Sequence, residues 1–482
     1  MRKFDSNVQI LKYKVLREVA RHTWEGNDIF SMFNEIAKEV VRKDHIPMRC
    51  CIYKDRAIVA ERIRIALGGN KKQPGVVEVI DIACDDCPQA GYMVTDMCRG
   101  CIAHQCQGAC PKEAIEFDEH LKAHIDKKKC IECGQCARVC PYNAINNFRR
   151  PCETACQAGA IHMAETCEAE IDYEKCTGCG ACVSKCPFGA PVDKSHITDV
   201  VKMLKERVVG TGERVHAVVA PSYVTQFGAA KPGQIVAAIR HLGFDTVQEV
   251  ALGADMTACA EAEELAHKDD FITTSCCPAF VSYIKANFPE LEGHISSTLS
   301  PMAMIGQQIK RKEPASKVVF IGPCVAKKEE AMQENVKELI DKVLTFEELQ
   351  ALIDARDIPV TELEEEILQG VSIHGVGFAK SGGVAAAVEA ALQEQGCDKE
   401  IQTATASGLD KCKGMLRLAA KGKAKFDLLE GMACENVCIS GAGCLTHQAV
   451  DGGEVDRAAK TAAYAHVKDS LHHWNEKDLE LE

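Results

Sequence analysis

Cys130-Ile131-Glu132-Cys133-Gly134-Gln135-Cys136-Ala137-Arg138-Val139-Cys140-Pro141 has a spacing that Cys176-Thr177-Gly178-Cys179-Gly180-Ala181-Cys182-Val183-Ser184-Lys185-Cys186-Pro187 repeats. In a Cys-x2-Cys-x2-Cys turn three thiolates reach one [4Fe-4S] cubane. The fourth cysteine, followed by proline, crosses to the cubane of a partner run. The neighbourhood is dense in the same residue: 17 of the chain's 28 cysteines fall between Cys84 and Cys186. A disulfide framework is the competing explanation. Disulfide-rich chains are usually small secreted domains, whereas this chain has 482 residues, 46% of them hydrophobic, and can bury a real core. Its start, Met1-Arg2-Lys3-Phe4-Asp5-Ser6, lacks the apolar segment of a secretion signal, and no apolar run approaches membrane-spanning length. The expectation is a reducing, cytoplasmic setting with no membrane contact, in which the cysteines are metal ligands. A formal charge of −13 argues against a nucleic-acid partner.

Both runs are similar to those of bacterial ferredoxins, and weaker copies surround them. Cys98, Cys101, Cys106 and Cys110-Pro111 form the same half-motif with two extra residues before the third cysteine. Cys152-x3-Cys156 looks like the end of another half-motif that lacks its first two ligands, and Cys84-x2-Cys87 supplies a pair of the right form. If the 98–140 unit is inserted into an outer unit, as compact units with neighbouring termini allow, the crossed rule gives four quartets. They are Cys98, Cys101, Cys106 with Cys140; Cys130, Cys133, Cys136 with Cys110; Cys176, Cys179, Cys182 with Cys156; and Cys84, Cys87, Cys152 with Cys186. The polyferredoxin subunits of molybdenum oxidoreductases look similar. Cys167 is a rival ligand for the last quartet, and Cys84 with Cys87 could bind separately, so three to four additional [4Fe-4S] clusters are expected. Clusters chained in this way relay single electrons; the plainer reading is that they staple a small domain.

Around this α+β relay region the texture changes. Residues 1–80 read as a helical segment, with Ile36, Val40 and Val41 at helical spacing and Ile58, Ile63, Ile65 and Leu67 ahead of Gly68-Gly69-Asn70. Residues 81–195 form the ferredoxin-like domain with interleaved units. From 196 to 450 strands and helices alternate: Val215–Val219, Thr246–Val250, Phe271–Thr274, Val318–Ile321 and Phe426–Leu429 read as strands, Gln234–His241 and Ala385–Leu392 as helices. That is an α/β pattern with the chemistry on loops after strands. Residues 451–482 read as a polar helical tail.

Three of those loops carry cysteine: Thr274-Ser275-Cys276-Cys277-Pro278, Gly322-Pro323-Cys324-Val325-Ala326-Lys327-Lys328-Glu329, and Glu430-Gly431-Met432-Ala433-Cys434-Glu435-Asn436-Val437-Cys438. Spacing alone allows four thiolates to hold one more cubane, with a fifth left over. In their order and wording the loops resemble the three signatures of the [FeFe]-hydrogenase catalytic domain. The resemblance extends over roughly 190–450, and the interrupted polyferredoxin and Thr-Ser-Cys-Cys-Pro-Ala-Phe look like the group B enzymes. It implies an H-cluster, that is a [4Fe-4S] cubane joined to a diiron subsite bearing CO, CN⁻ and an azadithiolate, together with maturation proteins that load it. Carried over by position, Cys277, Cys324, Cys434 and Cys438 match the cubane ligands, with Cys438 bridging to the diiron. Cys276 matches the proton-passing cysteine and Lys327 the lysine that donates to a cyanide. Ala220-Pro221-Ser222 resembles the segment that receives the other cyanide, and Met432 and Phe378 match apolar residues lining the pocket. Lys328 is expected at the surface.

Protons need a chain of titratable or hydroxyl groups from solvent to Cys276. Glu261 and Glu264, three apart on one helix face, and Ser296 resemble the family's path residues, while Glu263 reads as solvated. Two departures stand out. Gly322 replaces a methionine, so the pocket is more open or differently packed, and the third loop ends Ser440-Gly441-Ala442-Gly443-Cys444 without a glycine triplet. Cys444, Cys259, Cys50, Cys51, Cys397 and Cys412 read as small buried hydrophobes. The function implied is reversible proton reduction to H2, with electrons exchanged with a ferredoxin-like carrier by a monomer or small homo-oligomer. The alternatives are a hydrogen-sensing regulatory member and a non-catalytic iron–sulfur scaffold.

Overall fold

The computed structural model describes residues 4–476 apart from 45, 86, 369, 398 and 448–451. The domain boundary expected at 450–451 lies outside the described residues. The later part of the chain is organised on two parallel sheets. In the first, strands lie in the order Thr246–Glu249, Val215–Val219, Lys317–Gly322, Lys342–Thr345. In the second the order is Ile272–Thr273, Leu428–Met432, Thr403–Ser407. Val215–Val219 and Leu428–Met432 are buried along their whole length, as strands of a parallel sheet covered on both faces must be. Helices including Ala251–His267, Pro301–Lys312 and Gly383–Glu394 supply that cover.

The last cysteine loop follows a strand displaced from its expected place, Leu428–Met432 instead of Phe426–Leu429. The charged Glu430 lies inside it, fully buried, with its carboxylate taking the backbone N–H groups of Gly382 at 2.8 Å and Ala385 at 2.9 Å. These are free donors at the start of the helix Gly383–Glu394, where a negative charge is stabilised.

The relay region is a set of nested antiparallel pairs. Val77–Val79 pairs with Pro191–Asp193 and encloses everything between. Inside it, Gly91–Val94 pairs with Ile145–Phe148, closing the unit that holds Cys98 to Cys140. Each unit has its own small hairpin, Ile115–Phe117 with Ala123–Ile125 and Ile161–Met163 with Ala169–Ile171. Two separate apolar clusters result, one around Cys98, Cys106, Cys110 and Cys136, the other around Cys84, Cys152, Cys156, Cys176, Cys182 and Cys186.

The first 80 residues are helical over Asn7–Glu25, Phe33–Val40 and Ile52–Ala66, but Val77–Val79 is a strand, so the helical reading ends early. Ser6 caps the first helix by accepting from Gln9 N, and Gly26, at φ 82°, ends it. Its apolar face, including Leu16, Val19 and Ala20, shares one core with Leu349, Leu352 and Ile353 of the catalytic region.

A buried ion network reinforces this junction. Lys12 pairs with Asp193 and, at 2.6 Å, with Glu347. Lys328 pairs with the same Asp193 at 2.8 Å and with Glu348 at 3.0 Å, and donates to Lys194 O at 2.7 Å. The expectation of a surface position for Lys328 is therefore wrong: it is 0% exposed. At the other end of the chain, Ser470 is buried and donates to Asp255 at 2.7 Å, tying the helix Val467–Glu476 to Ala251–His267. No described helix is long and apolar enough to cross a membrane.

Candidate functional site

The C-terminal ends of strands from both sheets deliver the site. Val215–Val219 runs into Ala220-Pro221-Ser222, Ile272–Thr273 into Cys276 and Cys277, Lys317–Gly322 into Cys324, and Leu428–Met432 into Cys434 and Cys438. The loops lock onto one another: Gly443 N donates to Pro323 O at 2.8 Å, and Gln226 holds Ile439 O and Leu445 N. Cys434 feels Cys324, Cys277 and Cys438 as electrostatic neighbours, so the four sulfurs converge. Burial pushes the Cys324 and Cys438 thiols up to about 12. Alone they would stay protonated, and a metal group is what would hold them as thiolates. Among the described residues, the trio of Cys, His, Asp or Glu ligand atoms lying within 4.8 Å of one another is Glu18, His22 and Glu39. No cysteine set is drawn as tight as a single tetrahedral ion needs, with sulfurs about 3.8 Å apart. Convergent but spread thiols fit a four-iron cubane.

The same test applies to the relay. Cys106 feels Cys140 and Cys101; Cys136 feels Cys110 and Cys130; Cys182 feels Cys179, Cys176 and Cys156. Cys84, Cys87 and Cys152 all feel Cys186, and Cys152 feels Cys84 as well. The Cys167 sulfur accepts a hydrogen bond from Gln89 at 3.4 Å. Cys179 feels both Cys156 and Cys277, which sets its quartet beside the catalytic cysteines. Gly180, at φ 75°, makes this approach possible: a Cβ there would lie 2.7 Å from Ala442 Cβ and 3.1 Å from Val325.

Around Cys276 the polar groups form a line towards solvent. Cys276 feels Glu261. Glu261 is fully buried, and its Oε1 accepts from Ser275 N at 2.9 Å and Ser275 Oγ at 3.0 Å. Ser296 Oγ donates to Glu264 at 2.8 Å and also acts on Glu261. Glu264 is half-buried and faces Lys268 at 3.6 Å, and Glu263 is exposed. A cleft of about 260 Å³ lined by Ser275, Ser296, Ser297, Ser300 and Glu330 opens beside this line.

Burial lifts the Glu261 pKa from 4.5 to about 7, against the pull of the Ser275 donors. Such a carboxyl keeps its proton in the folded state where the unfolded chain has lost it. Stability therefore falls as pH rises from about 4.5 to 7 and is level above. Glu261→Gln is expected to flatten that fall by up to about 3 kcal/mol. Urea midpoints of both proteins near pH 5 and pH 8 check it, and an unchanged difference would place the titration elsewhere.

Lys327 lies on the other side of Cys276, buried, donating to Ser300 Oγ at 2.9 Å and Cys276 O at 3.3 Å and paired with Glu330 at 2.6 Å. Burial works against its charge, but Glu330 outweighs it and raises the pKa. Ser222 Oγ is buried without a hydrogen-bond partner among the described residues, beside Ala220. Met432 and Phe378 pack in one apolar cluster with Cys276, Cys277 and Cys438. Ser300 and Glu330 were not legible as site residues, although the i,i+3 spacing of Lys327 and Glu330 was a signal for that pair. Glu430, which Cys276 also feels, sat hidden as an ordinary loop acid.

A family model described as "Iron only hydrogenase large subunit, C-terminal domain" matches residues 213–442, and "4Fe-4S binding domain" matches 123–146 and 169–192. Iron hydrogenase 1 of Clostridium pasteurianum is 30% identical over 69% of this chain and 67% of its own length. The chain belongs to the [FeFe]-hydrogenase family. A solved structure of the [FeFe]-hydrogenase HydA1 from Chlamydomonas reinhardtii has the same fold, at TM-score 0.50 and 22% identity, covering 59% of this chain and 95% of that one. Cytosolic Fe-S cluster assembly factor NAR1 of Kluyveromyces lactis is 35% identical over 79 residues, 16% of this chain and 17% of its own.

Gly322 and Cys444 also border the site of this [FeFe]-hydrogenase family member. The space beside Gly322 is filled from within the strand: a Cβ there would lie 2.5 Å from the Phe320 ring, so the wall is repacked and not opened. Cys444 is fully buried, its Sγ 3.7 Å from Cys438 O and 3.6 Å from Ile439 O. Cys412 is likewise buried, with Sγ 3.3 Å from Ala406 O, whereas Cys259 and Cys397 are half-buried. Cys50 and Cys51 do not behave as buried hydrophobes. Cys50 is exposed and Cys51 half-buried at the start of the helix Ile52–Ala66, with sulfurs 3.8 Å apart, because Pro47 and the helix start turn this segment outward.

Proposed function

We propose that the chain is a hydrogenase that interconverts 2H⁺ + 2e⁻ and H2. The observation that carries this reading is the placing of buried Glu261 between Cys276, which feels its charge, and the Ser296–Glu264 pair at 2.8 Å, with Lys327 on the Cys276 carbonyl and Met432 and Phe378 packed with Cys276, Cys277 and Cys438. An H-cluster bound to Cys277, Cys324, Cys434 and Cys438 would supply the formation and cleavage of the H–H bond. The chain's own groups do the rest. Cys276 holds and passes the proton, and a thiol suits the task because its ordinary pKa is close enough to neutral for cheap transfer. Burial raises the Cys276 thiol well above its ordinary value, so it holds its proton at rest, and Glu261, lifted by burial to about 7, is the neighbouring carboxyl placed to resupply it. Lys327 and the Ser222 hydroxyl would hold anionic ligands of the diiron group by charge-assisted and neutral hydrogen bonds. Excluding water around them strengthens both.

Electrons would travel through the quartet at Cys156, Cys176, Cys179 and Cys182, which adjoins the catalytic cysteines, and on through the other relay quartets to a ferredoxin-like carrier in the cytoplasm. Protein matured anaerobically with the diiron-loading proteins is expected to show infrared CO and CN⁻ bands and to evolve H2 from a reduced dye. Intact iron–sulfur clusters without those bands would sink this reading in favour of a cluster scaffold.

A further inference from the structure

Two arginines are buried beside one relay quartet, and neither is within ion-pair distance of a carboxylate among the described residues. Arg62, from the helix Ile52–Ala66, is 4% exposed. It makes a hydrogen bond from Nη2 to Gly189 O at 2.6 Å, its Nε has no partner among the described residues, and the ionisable group it feels is Cys186. Arg150 is 1% exposed and donates to the carbonyls of Pro88 at 3.2 Å, Cys87 at 3.4 Å and Cys167 at 2.5 Å. Its Nη1 has no partner among the described residues, and it acts on both Cys84 and Cys87. Both guanidinium groups thus face the quartet Cys84, Cys87, Cys152 and Cys186.

A buried cation is tolerated when something negative lies opposite, and the negative group that both arginines share among the described residues is the cysteine quartet. A [4Fe-4S] cubane with four thiolates is negative in its oxidised form and gains one more negative charge on reduction, so fixed cations beside it favour the reduced form. The other quartets differ. Cys130 feels Lys127, but that lysine is half-exposed and paired with Glu132 at 3.2 Å. Cys176 feels the acidic Glu329, and Lys327 beside the catalytic cysteines is paired with Glu330. Glu153 also faces Cys87 and Cys152 but is half-exposed, so water screens it.

On the relay reading above, we propose that Arg62 and Arg150 are the built-in counter-charge of the cubane held by Cys84, Cys87, Cys152 and Cys186 and make it the highest-potential station of the wire. The station lies where the 98–140 unit is inserted, between Cys87 and Cys152, and shares an apolar cluster with the quartet next to the catalytic site. In each transfer this cubane is reduced by one electron as a neighbouring reduced cubane is oxidised. The fixed guanidinium charges balance that electron, so no proton needs to follow. One electron can wait there while the catalytic site handles the other.

The test is a potentiometric titration of the anaerobic holoprotein followed by electron paramagnetic resonance. One relay signal is expected to develop at a higher potential than the rest. Arg62→Met and Arg150→Met should each move that signal's reduction equilibrium at least tenfold towards the oxidised form, a shift of about 59 mV. Arg62→Lys should restore it, with iron content and the other signals unchanged. Arg150 also bridges three carbonyls, so if Arg150→Met loses iron, Arg62→Met decides. A signal unmoved in Arg62→Met, a moved signal that is not the highest, or loss of four irons in both Arg62→Met and Arg62→Lys would each overturn the proposal. An iron content of about 18 instead of about 22 per chain in the unsubstituted protein would remove the cubane itself and the relay reading with it.

Discussion

Replacing Cys276 by alanine is expected to cut H2 turnover about a hundred- to ten-thousandfold, the range a positioned proton-transfer group supplies. The infrared bands, iron content and relay signals should all survive. On the proposed reading Cys277 and not Cys276 holds the cluster, and the neighbours of Cys276 include Glu261 and Glu430. Its carbonyl, which the substitution retains, is what Lys327 binds, so the wall of the pocket should stand. The alanine variant would break the line from Glu264 at its last member and nothing else. H2 evolution from a reduced viologen measures the effect. A rate above a tenth of the unsubstituted one, at equal cofactor loading, would mean that protons reach the site by another route.

The second large effect concerns stability. Lys328→Met removes the cation shared by Asp193 and Glu348, both buried, and leaves Lys12 as the one ammonium opposite three carboxylates. Breaking a buried pair from one side costs about 3–5 kcal/mol because the remaining charge has no water to turn to. Lys337→Met is the control: that lysine is exposed, pairs with the exposed Glu334 at 2.6 Å, and should change stability by less than about 1 kcal/mol. Denaturant midpoints of the anaerobic proteins separate the two. Equal midpoints would show that the interior pair adds nothing to holding the relay region against the catalytic region.

Much of the fold was legible because it is written in local pattern. Val215–Val219 is five apolar or aromatic-like residues in a row and forms a strand over those same residues. The cysteine spacings suggest their quartets because a cubane is held by a tight turn plus one distant thiol. What local pattern could not show were partners far along the chain. Val77–Val79 pairs with Pro191–Asp193 more than a hundred residues later, so a short valine-rich stretch next to helices was absorbed into them. Leu428–Met432 was misplaced because a charge in the middle of a strand argues against burial until its partners, the N–H groups of Gly382 and Ala385, are known. Lys327 and Lys328 are adjacent and alike in sequence, yet one turns to Ser300 and the other to Asp193. Adjacent residues on a helical turn face different ways, and only the fold says that both directions lead inward.

That divergence at Lys328 bears on how freely the parts of this chain could be exchanged. A catalytic region grafted onto a different relay, or trimmed to stand alone, would carry Lys328, Glu347 and Glu348 into a surface designed to meet Lys12 and Asp193. The helix at the start of the chain also donates from Gln9 to Cys444 O, on the loop that follows Cys438. Shortening the protein from its beginning would therefore unseat the cysteine loop furthest from it in sequence. The wire, the opening helix and the site are one inheritance, and a replacement for any of them has to bring the matching charges with it.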